Sequence, residues 1–352
     1  MRNVRHRLRS SPLATIAMVT YNSGRYVREA IESVLAQDYE DFELLVCDDC
    51  SRDDTWEIVK SFGDRRIRAV RNDSNLGEYL NRNKALALAR GKYLMYIDGD
   101  DLMYAFALGM LVRTMERFPD AGFAAALPPS EKFVYPVELT AGEYCRCTFL
   151  GPIILASDFT QLFFRTAALR GVGGFDLRYR TGDLHIQYLM GSRGNALLVA
   201  NGLAWWRKRR GQASESLRAS GQPLVEMWRY GREILDEAGC PLDAREKALA
   251  RENLTRMLLR NSVRMLLRGE FWNAVHVALD TGIPLREWHS ILHPYRKPYL
   301  SQVTGDDPIR LGIGRAPPSA APARALWRFP GEIAPVRALD HRPRVELAAP
   351  AE

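Results

Sequence analysis

Three carboxylates stand within four residues of one another, directly after a short apolar run. They are Asp98, Asp100 and Asp101, and the run is Tyr93-Leu-Met-Tyr-Ile97. Such a run, bounded by a turn, is typical of a buried strand in an α/β sheet, where ligands bind outside the carboxyl ends of the strands. Carboxylates this close repel one another unless a cation shares them or solvent screens them, and hard oxygen ligands suit Mg²⁺ or Mn²⁺. The pattern favours a divalent-cation site, with an acidic surface turn as the alternative.

Two earlier apolar runs also end in polar side chains. One ends at Asp48 and Asp49, and the other ends at Thr20 and is followed by Tyr21. Helix-like segments separate the runs, and this alternation predicts a parallel sheet with crossover helices. All three strands then point their carboxyl ends the same way, so their polar ends can converge on one cleft.

Two common nucleotide-binding loops are missing from the sequence after these strands. Neither Gly-x-Gly-x-x-Gly nor Gly-x-x-x-x-Gly-Lys-Ser/Thr follows any of them. This argues against a dinucleotide oxidoreductase and against a P-loop NTPase. A diphosphate bound in the cleft would then be handled by a metal.

Several short motifs resemble, in order and spacing, those of family 2 glycosyltransferases with the GT-A fold. They are Ala17-Met-Val-Thr-Tyr-Asn22, Ser33-Val-Leu-Ala-Gln37, Val46-Cys-Asp-Asp-Cys-Ser51, Asn75-Leu-Gly77, Arg82-Asn83, Ile97-Asp-Gly-Asp-Asp101, Val172-Gly-Gly-Phe-Asp176, Thr181-Gly-Asp183 and Gln212-Ala-Ser214. The resemblance extends over about the first 220 residues. It implies a three-layer α/β/α domain with a mostly parallel sheet. It also implies inverting transfer of a sugar from a nucleoside-diphosphate sugar, with a uridine donor slightly favoured, to a glycan or lipid-linked acceptor in cell-surface polysaccharide synthesis.

The resemblance also assigns roles to individual residues. It implies a catalytic base at Asp183 and metal ligands for Mg²⁺ or Mn²⁺ at Asp98, Asp100 and Asp101. The implied donor-binding residues are Thr20, Tyr21, Asn22, Asp48, Asp49, Asn83, Asp98 and Arg209, and the implied acceptor-binding residues are Gln212 and Ser214.

The role implied for Asp183 agrees with the chemistry. Attack by an acceptor hydroxyl requires one carboxylate to take its proton, and direct attack inverts the anomeric carbon. The family usually has an acid pair here, which this chain reduces to Gly182-Asp183. The alternative is that Asp183 only caps the helix that follows.

A basic loop departs from the family pattern. Many relatives carry a histidine about where Arg209 falls, whereas this chain has Arg207, Lys208, Arg209 and Arg210 in succession. Guanidinium groups bind phosphate oxygens in a bidentate fashion, so these cations can clamp a pyrophosphate directly. The alternative is a solvated basic loop.

Length and composition predict a catalytic domain with additional segments. The chain has 352 residues, of which 47% are hydrophobic, enough for a sizeable core. From Pro223 onward the apolar pattern becomes helical, and beyond residue 301 prolines, alanines and arginines dominate. The predicted segments are a basic arm (1–11), a GT-A domain (12–220) with nucleotide-binding (12–120) and acceptor (121–220) halves, a helical region (221–300) and a flexible tail (301–352).

Cysteine usage and hydropathy bear on location. Five cysteines, odd in number and irregularly spaced, predict reduced thiols and a cytoplasmic protein. The basic arm is not followed by the apolar stretch of a signal peptide, and no run reaches the length of a transmembrane helix. The sequence therefore predicts a soluble or peripheral protein.

The net charge of +7 includes a basic stripe on one predicted helix. Its members, Arg256, Arg260, Arg264 and Arg268, recur every four residues. The stripe predicts peripheral contact with anionic lipid near a lipid-linked acceptor, and the alternative is a packed helix with a wet basic side. Nucleic acid is not an expected partner, because aromatic residues do not interleave with the basic ones.

Two other functions remain open at this point. One is a non-catalytic nucleotide-sugar-binding scaffold, and the other is a sugar nucleotidyltransferase, which also uses metal-binding acids in an α/β domain. The presence together of Asp49, Asp98, Asp100 and Asp183 favours a catalytic glycosyltransferase.

Overall fold

A central sheet of eight strands organises the molecule. The computed structural model describes residues 11–128, 135–151, 155, 157–208 and 221–283. The strands are β1 (Ala14–Thr20), β2 (Phe42–Asp48), β3 (Ile67–Arg71), β4 (Tyr93–Asp98), β5 (Leu102–Met103), β6 (Ala121–Leu127), β7 (Val137–Leu139), β8 (Leu162–Arg165), β9 (Asn195–Ala200) and β10 (Ala204–Trp205).

Helices and short turns connect these strands and extend beyond them. The helices are α1 (Val27–Leu35), α2 (Thr55–Lys60), α3 (Glu78–Leu88), α4 (Ala107–Arg117), α5 (Ala141–Cys145), α6 (Thr166–Gly171), α7 (Gly182–Arg193), α8 (Gln222–Asp236), α9 (Ala244–Leu267) and α10 (Phe271–Thr281). A π-helical turn follows α5, and a 3₁₀ turn precedes β8.

The strand order of the large sheet is β3-β2-β1-β4-β8-β6-β9-β7. Strands β3, β2, β1 and β4 are mutually parallel, β9 is parallel to β6, and β8 and β7 are antiparallel to their neighbours. The predicted mostly parallel sheet is therefore confirmed. Because β1 lies between β2 and β4, the carboxyl ends of these three strands are adjacent, as the sequence predicted.

Helices cover both faces of the sheet, which gives the predicted three layers. Along β1, Ile16 and Met18 pack on the face covered by α1 and α4, whereas Ala17 and Val19 pack on the face covered by α3 and α7. This alternation follows from the two-residue period of a strand. A strand with both faces buried reads as a continuous apolar run, which is the pattern seen in the sequence.

The last three described helices form the predicted C-terminal helical region. Helices α8 and α9 pack against α5, the π-helical turn and α7 through apolar side chains that include Tyr230 and Leu254. Helix α10 closes on α8 and α9 through Val225, Leu258 and Val277. In the part of the chain that the structure describes, no helix combines the length and hydropathy needed to cross a bilayer.

Several sequence predictions fall outside the described residues. These are the basic arm up to residue 10, the tail at 301–352, the last part of the predicted helical region, and the residues Arg209, Arg210, Gln212 and Ser214. The roles predicted for these segments and residues therefore stay predictions.

Candidate active site

The loops after β1 and β2 interlock at the carboxyl edge of the sheet. The backbone N–H of Asn22 donates to Ser51 Oγ at 2.9 Å, and the Asn22 side-chain oxygen accepts from the N–H of Arg52 at 2.9 Å. Asn22 has a φ of +50°, a left-handed conformation that asparagine tolerates better than most residues. These bonds fix the loop and leave the Tyr21 ring exposed beside it.

Asp48 anchors the loops that follow β1 and β2. Its carboxylate is fully buried and accepts from Thr20 Oγ1 at 3.1 Å and from the N–H and Oγ of Ser51 at 3.1 and 2.5 Å. Arg71 Nε lies 3.4 Å away on the neighbouring strand. Asp48, predicted to bind the donor, therefore occupies a positioning role in this structure, and Thr20 shares it.

Asp49 organises a third loop, the one that leads into α3. Its carboxylate accepts from the N–H of Leu76 at 2.8 Å, the N–H of Gly77 at 2.9 Å and Asn72 Nδ2 at 2.7 Å. The Asn75-Leu-Gly77 motif recognised in the sequence is thus the partner of Asp49. The three loops form one hydrogen-bonded rim around the cleft.

The acid turn, residues Asp98–Asp101, follows β4 directly. Arg82 donates to Asp98 Oδ1 at 2.6 Å and lies 3.3 Å from Glu78, while its guanidinium stacks on the Phe159 ring at 3.9 Å. Arg82 is only 1% exposed, and its Nε and Nη1 have no hydrogen-bond partner among the described residues. A buried cation with unused donors beside an acidic strand end is suited to bind an anion.

Gly99 lets the acid turn approach the β1 loop. A Cβ at position 99 would lie 2.7 Å from Thr20 Cγ2, which is closer than van der Waals contact allows. The N–H of Gly99 donates to the Val19 carbonyl at 3.1 Å. The acid turn and the Thr20 loop are therefore in direct contact, which confirms the convergence that the sequence predicted.

Asp101 lies deepest in the acid turn. It is almost fully buried, and burial, together with the charges of Asp98 and Asp100, raises the pKa of its carboxyl to about 7. The N–H of Arg207 donates to Asp101 at 3.0 Å, and Arg207 Nε donates to the Asp100 carbonyl at 2.9 Å. Strands β5 and β10 pair antiparallel and hold Arg207 against the acid turn.

The acid turn fits a divalent cation that a diphosphate helps to hold. Crowded carboxylates raise one another's pKa, and a cation would relieve that repulsion. No group of three or more potential metal ligands is assembled among the residues described. Mg²⁺ is commonly bound by one or two carboxylates together with substrate phosphates, so the carboxylates of Asp98 and Asp100 match this mode.

Asn83 was predicted to bind the donor, but the structure engages its side chain elsewhere. Asn83 Nδ2 donates to the Phe175 carbonyl, and Asn83 Oδ1 accepts from the Phe175 N–H, both at 2.8 Å. Both polar atoms of the amide therefore fasten α3 to the Val172-Gly-Gly-Phe-Asp176 motif. Its neighbour Arg82 is the residue of the pair that faces the acid turn.

Asp183 lies in the first turn of α7. The helix begins at Gly182, and its N-cap residue is Thr181, so the alternative that Asp183 is the cap is wrong. The N–H of Leu184 donates to its carboxylate at 2.9 Å. Burial raises the pKa of Asp183 to about 6, and the negative charges of Asp158 and Glu78 act in the same direction.

Tyr79 holds the segment in front of Asp183. The Tyr79 hydroxyl donates to the Arg180 carbonyl at 2.5 Å and accepts from the Gly182 N–H at 2.9 Å. A Cβ at position 182 would lie 2.6 Å from the Tyr79 ring. The reduction of the usual acid pair to Gly182-Asp183 therefore has a steric cause, because the tyrosine ring fills the space of the missing side chain.

Glu226, from α8, holds the same segment from the other side. Its buried carboxylate accepts from the N–H of Arg180 at 2.9 Å, and from the N–H and Oγ1 of Thr181 at 2.8 and 2.7 Å. Gln222 donates to its other oxygen at 3.1 Å. The C-terminal helical region thus supplies a side chain that positions the candidate base.

The candidate base and the acid turn share an electrostatic environment. Arg82, which contacts Asp98, and Glu78, which contacts Arg82, also influence the pKa of Asp183. One helix, α3, therefore contributes charge to both carboxylate sites.

The sequence missed the roles of three residues of this site: Tyr79, Arg82 and Glu226. Arg82 stood in a recognised motif, and its position one residue before Asn83 was the available signal. Tyr79 and Glu226 lie 103 and 45 residues from their main partners, so no local pattern could have linked them. The basic stripe also needs correction, because Arg256 is buried and paired with Glu252.

Comparison with known proteins agrees with the motifs. Residues 15–171 match the family model described as Glycosyl transferase family 2. The match is shorter than the 220 residues over which the motifs were recognised, and Asp183 lies beyond it. The recognition of the family is confirmed for the matched region.

Curated relatives match the same part of the chain. A UDP-Glc:alpha-D-GlcNAc-diphosphoundecaprenol beta-1,3-glucosyltransferase, WfgD of Escherichia coli, is 40% identical over 156 residues, 43% of this chain and 62% of the relative. A putative teichuronic acid biosynthesis glycosyltransferase, TuaG of Bacillus subtilis, is 32% identical over 160 residues, 43% of this chain and 64% of the relative. The chain thus spans less than two thirds of the length of these relatives.

Solved structures extend the likeness to the whole fold. The S. aureus TarS 1-349 complex with UDP-GlcNAc aligns with a TM-score of 0.60 and 19% identity, covering 85% of this chain and 92% of the TarS 1-349 chain. The mannosyltransferase PcManGT from Pyrobaculum calidifontis, in complex with GDP-Man and Mn²⁺, aligns with a TM-score of 0.55 and 18% identity, covering 86% of each chain. At these identities the likeness shows the fold alone, and it confirms the GT-A fold.

Proposed function

We propose that this chain, which belongs to glycosyl transferase family 2 over residues 15–171, is a metal-dependent, inverting glycosyltransferase. It moves a sugar from a nucleoside-diphosphate sugar, with a uridine donor favoured, to a lipid-linked or glycan acceptor in cell-surface polysaccharide synthesis. The observation that carries the proposal is the pair of carboxylate sites, the acid turn and Asp183, both of which are influenced by charges of α3.

The donor would lie along the rim made by the three loops. Tyr21 is exposed where a base can stack on its ring, and the buried Arg82 holds the carboxylate of Asp98 in place. Asp98 and Asp100 would hold Mg²⁺ or Mn²⁺, which stabilises the negative charge that develops on the leaving diphosphate. Relatives named for UDP-Glc and a fold neighbour bound to UDP-GlcNAc support a uridine donor.

Asp183 would take the proton of the acceptor hydroxyl. With a pKa of about 6 its carboxylate is ionised at neutral pH, yet it is more basic than an ordinary aspartate. Asp176 is a poorer candidate, because Arg178 forms hydrogen bonds with it and lowers its pKa. Proton transfer to one carboxylate, with direct attack by the hydroxyl, inverts the anomeric carbon.

The acceptor class is proposed from the relatives. WfgD is named for a diphosphoundecaprenol-linked acceptor and TuaG for teichuronic acid biosynthesis. Both names support a lipid-linked or glycan acceptor, and hence an enzyme that works at a membrane surface from the cytoplasm without a described membrane-spanning helix.

Donor binding and turnover test the proposal together. A thermal-shift panel of nucleotide sugars with Mn²⁺ or Mg²⁺ should single out one donor, because a bound ligand stabilises the folded state in proportion to its occupancy. That donor and a lipid-linked saccharide acceptor should then release nucleoside diphosphate and give a product of inverted anomeric configuration by NMR. Release of pyrophosphate would instead identify a nucleotidyltransferase, and donor binding without turnover would favour the scaffold.

A further inference from the structure

The end of α9 and the outer side of α10 expose a cluster of large apolar side chains. Leu267 is 83% exposed, and Trp272 and Leu279 are each 72% exposed. We call this cluster the hairpin patch, and it consists of Leu266, Leu267, Phe271, Trp272 and Leu279. Single exposed apolar residues are common on protein surfaces, but a contiguous group marks an interaction surface.

Two members of the patch, Trp272 and Leu279, lie on one face of α10. Trp272, His276 and Leu279 follow the helical spacing of i, i+4 and i+7 and are all exposed. Ala274 and Val277, on the opposite face, are buried against the rest of the helical region. Helix α10 therefore exposes large apolar side chains on the side opposite to the one that packs against α8 and α9.

Cations border the patch. Arg264 and Arg268 are exposed beside Leu266 and Leu267, while the half-buried Glu270 and the exposed Asp280 lie at the two ends of α10. Arg256, the first member of the predicted basic stripe, is buried, so the stripe reaches the surface only near the hairpin. Arginine beside exposed tryptophan, phenylalanine and leucine is the composition of a surface that lies in the interface of an anionic bilayer.

The hairpin of α9 and α10 packs on the end of α8 that carries Glu226. A Cβ at Gly221, the residue before α8, would lie 3.0 Å from Val277 Cγ2 and 3.3 Å from Met265 Cε, so the hairpin packs on this end of the helix. Glu226, which bonds Thr181, follows about 6 Å further along the helix axis.

We propose that the hairpin patch docks the protein on an anionic lipid bilayer, with its apolar side chains in the interfacial region and with Arg264 and Arg268 at the headgroups. This goes beyond the proposed function, because it concerns a surface remote from the donor cleft. Vesicle binding is measured without substrate, so its outcome and that of the activity test are independent.

The test uses the full chain and sedimentation with phosphatidylglycerol–phosphatidylcholine vesicles. The triple variant Leu267→Ser, Trp272→Ser, Leu279→Ser should bind at least about tenfold more weakly, because three exposed apolar anchors are lost. Phe106→Ser is the matched control, since Phe106 is half-exposed at the start of α4, and it should bind like the parent. The replaced side chains are exposed, so the melting temperature should not change.

A second set of variants separates attraction to the lipid headgroups from insertion of the apolar side chains. Arg264→Gln with Arg268→Gln should lose the preference for phosphatidylglycerol over pure phosphatidylcholine. Arg245→Gln with Arg65→Gln removes two exposed cations elsewhere, one of them near the opposite end of α9, and should keep that preference.

A fluorescence readout localises the contact without a disruptive variant. Trp272→Phe keeps an aromatic anchor, so it should still sediment with vesicles but lose the quenching by brominated lipid that the parent shows. Equal sedimentation of the triple variant and the parent would overturn the proposal. So would a parent that self-associates through the patch and fails to bind vesicles.

Discussion

The two carboxylate sites of this molecule are built in different ways. The acid turn emerges from a buried strand, and its neighbours in space are the loops of the two adjacent strands. Asp183 sits at the start of a helix whose preceding segment is held by Tyr79 from α3 and by Glu226 from α8. A parallel sheet positions a strand-end residue by itself, whereas the candidate base depends on side chains supplied from distant parts of the chain.

This difference gives the C-terminal helices a role in the candidate active site. The family match ends at residue 171, before the candidate base and before α8. Because Glu226 accepts three hydrogen bonds from the segment ahead of Asp183, the helical region contributes to the geometry of the site. Damage to the acid turn should therefore impair donor binding, and damage to the braces of Asp183 should impair the chemical step.

The largest effect is expected from the acid turn. Asp100→Asn should abolish metal-dependent donor binding and lower turnover by about a thousandfold or more, because stabilisation of the leaving diphosphate is worth several kcal/mol. Calorimetric titration of the donor with and without Mn²⁺, together with an assay of nucleoside diphosphate release, measures both. Asp120→Asn, at an exposed acid, is the control. Full activity in excess chelator would contradict this assignment.

Asp183→Asn should separate chemistry from binding. The substitution keeps the shape of the side chain and removes its proton acceptor, so turnover should fall by roughly a hundredfold or more while donor affinity changes little. Asp158→Asn changes an exposed acid that influences the pKa of Asp183, and it should retain most of the turnover. Near-normal turnover by Asp183→Asn would show that the base lies elsewhere.

The contrast between the two sites also explains what the sequence could predict. Apolar runs ending in acids indicate buried strands and a shared edge, so β1, β2, β4 and their convergence were predicted correctly. The change to a helical apolar pattern at Pro223 likewise marked the start of the C-terminal helices, the first of which begins at Gln222.

What remained hidden were contacts between segments far apart in the chain. Asp48 and Asn83 are polar residues in recognised motifs, but their side chains bond within the protein. A motif records that a residue is needed and does not record which atoms it contacts. Burial of Arg256 was hidden for a similar reason, because a four-residue spacing does not reveal which helix face a neighbouring helix will cover.

Removal of the Glu226 brace should weaken the Asp183 site selectively. Glu226→Ala leaves the N–H groups of Arg180 and Thr181 without their acceptor, at about 1–3 kcal/mol for the buried N–H of Thr181, so the melting temperature should fall. Turnover should fall by about tenfold, with donor affinity unchanged, because the brace lies on the chemical side of the site.

Two companion variants test whether the effect is specific to the brace. Glu226→Gln keeps an acceptor oxygen and should restore most of the turnover. Glu233→Ala changes another glutamate of α8, paired with Arg178 at the surface, and should resemble the parent. The idea that α8 positions the base would fail if Glu226→Ala weakened donor binding as much as turnover.

The pH dependence of turnover should report Asp183. Since its pKa is about 6, turnover should fall about tenfold for each pH unit well below 6 and should level off above about pH 7. This acid limb should disappear from the residual activity of Asp183→Asn. A limb that persisted unchanged in that variant would belong to another group.

The smallest expected effect concerns stability, and it comes from Asp101 in the acid turn. Burial and the neighbouring charges raise the pKa of Asp101 from its ordinary value of 3.8 to about 7, so the folded protein binds this proton more tightly than the unfolded chain does. Ionisation of Asp101 therefore costs stability progressively as the pH rises from about 4 to about 7.

Asn at this position can still accept from the Arg207 N–H but cannot ionise. Without metal, Asp101→Asn should thus melt a few degrees above the parent at pH 8 and close to it at pH 4. The same shift at both pH values would show that packing, and not the carboxylate charge, sets the difference, and the electrostatic account of the acid turn would then have to be abandoned.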